Sequence, residues 1–568
     1  MPRRRRLWNT YRVTYHRLLR FRATWALAAL AVLLPLGAGA APKTVCTVTI
    51  NSSDERDVMQ RRLPRGDYRF VELVQKGKPD WLQSACQRGV TCDALVISGH
   101  FDDGTEFYTD RFDDREFLTV HELQSAACSA SCNSLFSQLK EVYLFGCNTL
   151  KSSPRHVASD EVLRSVRRAG GSEADAERIA AMLSERYGQS NRDRLRHIFK
   201  DVPVLYGFSS KAPLGRVAGP LLERYFQTAP AGEVASGRAS PTLLNLFGPS
   251  SMIAVAGLTD ADPHASFRQD MCNLADNAPP AAQKVAFMHQ VLQRDMSEVR
   301  MFLDHVERQA AALGPAQRAN PAVAAALRDI ERDTVTRERY LAFARDADEA
   351  TVQARMMALA RTLGWLTPAQ EEDEFLHMVA ERMAKGGLGA TEVDLVCSRH
   401  QEREPTLARR VIATGAARPA KVTHSAVLAC LGSEEAHERT LKALTSSSDD
   451  DVAIAQVYLR HRPLADQDEV RTVAAGIGRM TAAAAQVRAL ETLARQRVSD
   501  PQSLQEIARL FPQARSLEVQ RAIAGILIRS DTRQLARADL ARTLRQHRMR
   551  SPDGSDVIDL LIRLLQQA

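Results

Sequence analysis

A chain of 568 residues exceeds the roughly 250–300 residues at which single hydrophobic cores stop growing, so about two to four domains are expected. A hydrophobic fraction of 45% with 25% charged residues excludes wholesale disorder and a polytopic membrane protein. The net charge of +8 is matched by eight arginines within residues 1–40, a stretch with no lysine and no acid. The remainder is formally neutral, so charge gives no argument for a nucleic-acid partner, which needs a basic patch on the folded body.

Those arginines (Arg3 to Arg6, Arg12, Arg17, Arg20 and Arg22) precede the apolar run Ala23 to Leu36 and the small residues Gly37-Ala38-Gly39-Ala40. That is the order of a secretory signal, with cleavage expected after Ala40 because Ala38 and Ala40 give the small-x-small pattern. An uncleaved anchor is the competing reading, since Ala23 to Ala41 is just long enough to span a bilayer. Either way the body is exported, to the periplasm or cell envelope, and a membrane is a partner only if the segment is retained.

Residues 44–225 alternate short β-branched runs with helical stretches. Val45 to Ile50, Tyr68 to Val74, Ala94 to Ser98, Val142 to Phe145 and Val202 to Phe208 read as strands. Asp54 to Leu63 (capped by Ser52 or Ser53), Pro79 to Cys86 and Glu173 to Tyr187 read as helices. The runs at 94–98 and 142–145 are continuously apolar, as in strands buried on both faces, and strand–helix alternation predicts a mostly parallel sheet with helices on both sides. Segment 226–275 reads as a linker or edge segment.

Beyond Pro279-Pro280 the strand signals vanish. Residues 276–400 read as long helices broken near Gly314-Pro315, Pro321, Pro368 and Gly386-Gly387. From 401 to 568 a common apolar pattern recurs in Ala453-Ile454/Val457-Tyr458, Ala489-Leu490/Leu493-Ala494 and Ala522-Ile523/Ile526-Leu527, with a weaker copy at Ala426-Val427/Cys430-Leu431. The three stronger copies are 36 and 33 residues apart, and recurrence at such a period predicts stacked helix pairs, an α-solenoid similar to HEAT repeats and suited to a protein partner; a plain helical bundle is the alternative.

The nine cysteines are Cys46, Cys86, Cys92, Cys128, Cys132, Cys147, Cys272, Cys397 and Cys430. In an oxidising compartment an odd count leaves at least one thiol unpaired. The close spacing of Cys86/Cys92 and Cys128/Cys132 suggests local disulfides, although connectivity does not follow from sequence. Zinc-finger spacing is absent, and no metal or cofactor is called for.

Two chemically capable residues follow the two most apolar strands. His100 ends Val96-Ile97-Ser98-Gly99-His100, and Cys147 ends Leu144-Phe145-Gly146-Cys147. Carboxyl ends of strands in open α/β sheets are where ligands and catalytic groups collect. A thiol to attack a carbonyl, an imidazole to move protons and backbone amides for the oxyanion make up nucleophilic acyl transfer. The amide of Cys147, after the permissive Gly146, is a natural oxyanion donor. His121, in Val120-His121-Glu122-Leu123, reads as part of a strand or loop insertion and is the lesser candidate base. The acids Asp102, Asp103, Glu106, Asp110, Asp113, Asp114 and Glu116 lack the spacing of a calcium loop and read as solvated.

At these residues the chain resembles the caspase-like clan of cysteine peptidases, which includes caspases, legumains, separases, gingipains and bacterial CHAT-type proteins. The resemblance covers roughly a third of the chain. It implies a caspase-like α/β fold, a His100/Cys147 dyad, a protein or peptide substrate, and a specificity pocket shaped by the loop after Val202 to Phe208, where Ser209 and Lys211 are candidates. One departure stands out. Family members place glycine directly after the histidine, where its amide completes the oxyanion hole; here that residue is Phe101. Two functions therefore stay open: an exported cysteine endopeptidase with helical repeats for protein recognition, and an inactive caspase-like fold serving as a binding scaffold.

Overall fold

The computed structural model describes residues 41–567 except 74–80, 102–103, 110–115, 154–189, 230, 263, 401–404, 414–420, 465, 497, 531–534 and 551–555. The signal or anchor segment, Val74, the helix expected at 173–187 and the acids Asp102, Asp103, Asp110, Asp113 and Asp114 lie outside the described residues.

The first region is an α/β domain. Its elements run β1 (Lys43–Thr49), α1 (Asp54–Arg62), β2 (Tyr68–Glu72), α2 (Trp81–Gln87), β3 (Ala94–Ser98), β4 (Glu106–Tyr108), β5 (Phe117–Thr119), α3 (Val120–Cys128), α4 (Asn133–Phe136), β6 (Glu141–Phe145), α5 (Asn191–Ile198), β7 (Val204–Phe208), α6 (Gly215–Thr228), α7 (Pro241–Phe247), β8 (Met252–Val255) and α8 (Ala265–Ala275). Six strands form one sheet in the order β2-β1-β3-β6-β7-β8, parallel except for the antiparallel edge strand β8. A two-stranded hairpin, β4 with β5, stands apart.

Side chains alternate across this sheet, and both faces are covered, which is why its central strands are apolar throughout. Leu95, Ile97, Val142 and Leu144 meet Leu82, Leu123, Leu195 and Phe199 on one side. Ala94, Val96, Tyr143 and Phe145 meet Val58, Met59, Leu222 and Tyr225 on the other. The one acid in a central strand, Glu141, accepts from the backbone amides of Ala235, Ser236 and Gly237 and from the Tyr143 hydroxyl. A buried carboxylate held by so many donors escapes the cost of desolvation without partners.

Everything described after β8 is helical. The helices start where the sequence supplies caps: Pro315, Pro321, Pro368 and Pro501 sit in the first turn, and Ser433, Ser448, Asp466, Asp500 and Ser516 accept from first-turn amides. The Ser and Asp oxygens satisfy donors that a helix start leaves unpaired, and a proline there removes one. The four recurring apolar segments fall on helices Val422–Cys430, Asp449–His461, Ala483–Arg495 and Leu517–Arg529, each packed against the next, and the last packs on Val557–Gln567. Among the described residues no helix is long and apolar enough to cross a membrane.

Four disulfides join Cys46 to Cys92, Cys86 to Cys132, Cys128 to Cys272 and Cys397 to Cys430. They fit an exported protein. The local pairs suggested by spacing do not form: Cys86 lies on α2 facing the turn that holds Cys132, while Cys128 at the end of α3 faces α8. Cys147 is the free cysteine.

Candidate functional site

The register of the parallel strands fixes the site. β3 pairs with β6 residue for residue at a constant offset, Ala94 with Glu141 through Ser98 with Phe145. That offset equals the separation of His100 from Cys147. β1 pairs with β3 from Val45 with Ala94 to Thr49 with Ser98, and Asn51 stands in the same relation to His100. Continuing each ladder two residues past its last pair therefore brings Asn51, His100 and Cys147 into one row across three neighbouring strand ends, where adjacent strands run about 4.8 Å apart.

Glycines let those ends converge. A Cβ on Gly146 would lie 2.8 Å from Cβ of Phe101 and 2.9 Å from the Gly99 carbonyl, and one on Gly99 would press on Ile50 at 3.3 Å. The Gly99 amide extends the ladder by donating to the Phe145 carbonyl at 3.1 Å, and the chain after His100 turns back so that His100 and Tyr108 exchange two backbone hydrogen bonds. After the cysteine, Asn148 takes a left-handed φ of 59°. Its amide donates to Ser210, while the Thr149 hydroxyl donates to the Gly146 carbonyl and accepts from the Phe208 amide.

His100 and Cys147 line one cleft with Asn51, Ser52, Glu55, Ser98, Gly99, Gly146 and residues 212–215. Nε2 of His100 lies 3.0 Å from the Asn51 side-chain amide, which in turn takes the Thr109 hydroxyl at 3.0 Å. The imidazole is thus oriented through a chain of two side chains. The Ala212 amide donates to Sγ of Cys147 at 3.3 Å, and the rim carries Leu214, 52% exposed. On the floor, Glu55 is buried and Oε2 has no partner. Burial pushes its carboxyl from the ordinary 4.5 up to about 7; hydrogen bonds from its own backbone and from Ser98 oppose the rise, and Asp54 and Asp57 add to it.

The other sequence candidates fall elsewhere. Among the described residues the amides of Cys147 and Phe101 have no hydrogen-bond partner, but Phe101 does not line the cleft; its ring is buried against Phe107 at 4.5 Å. The loop after β7 does reach the cleft, through Ala212 to Gly215 rather than through Ser209 or Lys211. Ser209 is bonded to the Ser251 carbonyl and Lys211 is exposed. His121 is no part of a strand or loop insertion. It opens α3, where Thr119 caps the Glu122 amide, and it faces a different cavity. Asn51 and Glu55 were not singled out from the sequence, although Asn51 has the same strand-end position that drew attention to the other two. Among the described residues no cluster of ligating side chains fits a metal ion.

No family model matches the chain, and neither a curated protein nor a solved structure matches it. The class that fold and cysteine pairing define is an α/β domain on a mostly parallel six-stranded sheet, followed by a mostly helical region, with four disulfides and one free thiol at a strand end.

Proposed function

We propose that the chain is an exported caspase-like cysteine endopeptidase in which Cys147 is the nucleophile and His100 moves the proton. The observation that carries this reading is the row Asn51–His100–Cys147, ending in the one cysteine that no disulfide consumes. His100 takes the thiol proton as the sulfur adds to the scissile carbonyl carbon, and the resulting oxyanion takes a hydrogen bond from the amide of Cys147. His100 protonates the leaving amine as the C–N bond breaks. Water, deprotonated by His100, then releases the acid and restores the thiol. Asn51 is a positioning residue, holding the imidazole as the third member of a nucleophile–base–orienter series.

The cleft measures about 40 Å³, with residues 212–215 on its wall, room for on the order of two or three waters. Residues 401–568 act as a HEAT-like solenoid that recognises a protein, a reading supported by the successive packing of the recurring helices. Residues 1–40 act as the signal that delivers the chain to the periplasm or envelope.

Peptide mapping of the non-reduced protein after iodoacetamide is the test. Alkylation confined to Cys147, with hydrolysis of peptide libraries abolished by Cys147→Ala, is the expected result. An unlabelled Cys147 together with hydrolysis unchanged in Cys147→Ala would overturn it. The inert-scaffold reading is favoured by one observation, the burial of Phe101 where the clan holds glycine, and it predicts labelling without hydrolysis of any peptide.

A further inference from the structure

A second cavity, of about 210 Å³, opens away from the Cys147 cleft at the seam between the α/β domain and the first helices that follow it. α3 supplies His121 and Ser125, helix Ala281–Leu292 supplies Lys284, and helix Met296–Ala312 supplies His305, Arg308 and Gln309. The α/β side of the seam is pinned beside it. The Cys128–Cys272 disulfide joins α3 to α8, and Arg268 of α8 donates to the carbonyls of Ala127 and His197.

The lining has one sign of charge. Among the described residues no acid lines the cavity; Asp304 and Glu307 act on Arg308, and Asp276 on Lys284, from outside it. The nearby acids are engaged elsewhere: Asp304 and Glu307 hold Arg355, and Asp276 caps the Ala278 amide. Burial has also stranded polar atoms here. Nδ1 of His121, both ring nitrogens of His305 and Nε of Arg308 have no hydrogen-bond partner, and His305 is 6% exposed. Buried polar groups in native proteins are nearly always satisfied, and these unsatisfied nitrogens all belong to residues that line one cavity. Burial, aided by the neighbouring cations, holds His121 down at about 4 and His305 at about 3. Burial lowers Lys284 and Arg308 as well. At neutral pH the imidazoles are therefore uncharged, each with one N–H to donate, while the two cations supply the remaining donors. What matches is a compact anion with several acceptor oxygens, to which a guanidinium binds in a fork.

We propose that this cavity binds a small tetrahedral oxyanion, inorganic phosphate or the phosphoryl group of a small metabolite, gripped by Lys284 and Arg308 and hydrogen-bonded by His121 and His305. The volume is below the roughly 300 Å³ at which drug-sized pockets begin, which suits an ion or a small phosphomonoester. Because its walls belong to both sides of the seam, the bound anion ties the α/β domain to the helical region.

The test is thermal unfolding and calorimetric titration of the full exported chain in phosphate-free buffer at constant ionic strength. Sodium phosphate, sodium sulfate and glycerol phosphate are the probes, and sodium chloride is the control. Millimolar phosphate raises Tm saturably and chloride does not. Lys284→Gln and Arg308→Gln each weaken binding at least about tenfold, as expected for loss of a charge-assisted hydrogen bond. Tighter binding of glycerol phosphate than of phosphate assigns the site to a phosphomonoester, and the reverse to the free ion. Absence of a saturable shift with all three oxyanions overturns the proposal, as does an undiminished shift in the Lys284→Gln variant, whose half-exposed position leaves folding intact if Arg308→Gln does not fold.

Discussion

In the six-stranded sheet of the α/β domain, parallel pairing joins residues 25 to 63 positions apart in the chain, whereas most helix contacts after residue 281 join helices one or two places apart, with Ala281–Leu292 on Pro321–Arg332 and Ala390–Arg399 on Asp449–His461 among the exceptions. Three of the four disulfides have at least one end on the sheet or its covering helices, and one lies among the later helices. Distant pairing is slow to form and settles all at once, because loop closure precedes any contact that rewards it. Its return is positional: a register held by many residues places three side chains in one row. Local helix packing builds surface piece by piece and offers no comparable convergence.

The sharpest way to break this contrast is at the row itself. Cys147→Ala is expected to lower peptide hydrolysis on the order of 10⁵- to 10⁶-fold, as loss of a nucleophile does elsewhere, while denaturant unfolding shows unchanged stability. Next comes the longest-range cross-link of the α/β domain. Replacing Cys128 and Cys272 by serine together removes a cross-link with a sequence separation of 144, at a cost of roughly 2–5 kcal/mol, read as a lower urea midpoint for the α/β domain with the last helices little affected.

Glu55 probes the floor of the cleft. A carboxyl whose folded pKa is raised from 4.5 to about 7 stabilises the fold fully below pH 4.5 and ceases to do so as pH rises through 7. Glu55→Gln should therefore remove a loss of about 3 kcal/mol between pH 4.5 and 8, measured as the difference between the two stability–pH curves. Asn51→Ala frees the imidazole from its orienter and is expected to lower kcat about 100-fold, a cost typical of misplacing a catalytic group, with KM and the labelling of Cys147 little changed. The smallest effect belongs to the helices. Ser516 caps the Val519 amide, and Ser516→Ala should cost about 1 kcal/mol, confined by hydrogen exchange to the helices around residue 517.

Much of this architecture is legible in the sequence where one local rule decides. The apolar runs 94–98 and 142–145 are strands because covering both faces leaves no polar side, and Pro315, Pro321 and Pro368 announce helix starts because a missing N–H costs nothing there. Thr119 and Glu122 carry the capping pattern that makes His121 helical, and reading the stretch as an insertion overlooked it. Other features are set only by tertiary contact. Nothing local tells Cys86 to choose Cys132 over Cys92. Asn51 matters through a register between strands separated by a helix, another strand and a further helix. Glu55 lies in a polar stretch of α1, yet it shares that helix's inward side with Val58 and Met59, so polarity alone pointed the wrong way.

The Cys128–Cys272 pair also bears on how the chain matures. Whenever it meets an oxidant while emerging from its N-terminal end, Cys46 finds Cys92, and Cys86 finds Cys132, within 46 residues each. Cys128 waits another 144 for its partner. From the emergence of Cys147 until that of Cys272, Cys128 and Cys147 are exposed together as thiols, and the loop then open to Cys128 is the one that would cap the free cysteine of the strand-end row. Correct assembly therefore depends on timing or on a disulfide isomerase, and the Cys128–Cys272 bond protects the free thiol of Cys147 by withdrawing its nearest competitor in the chain.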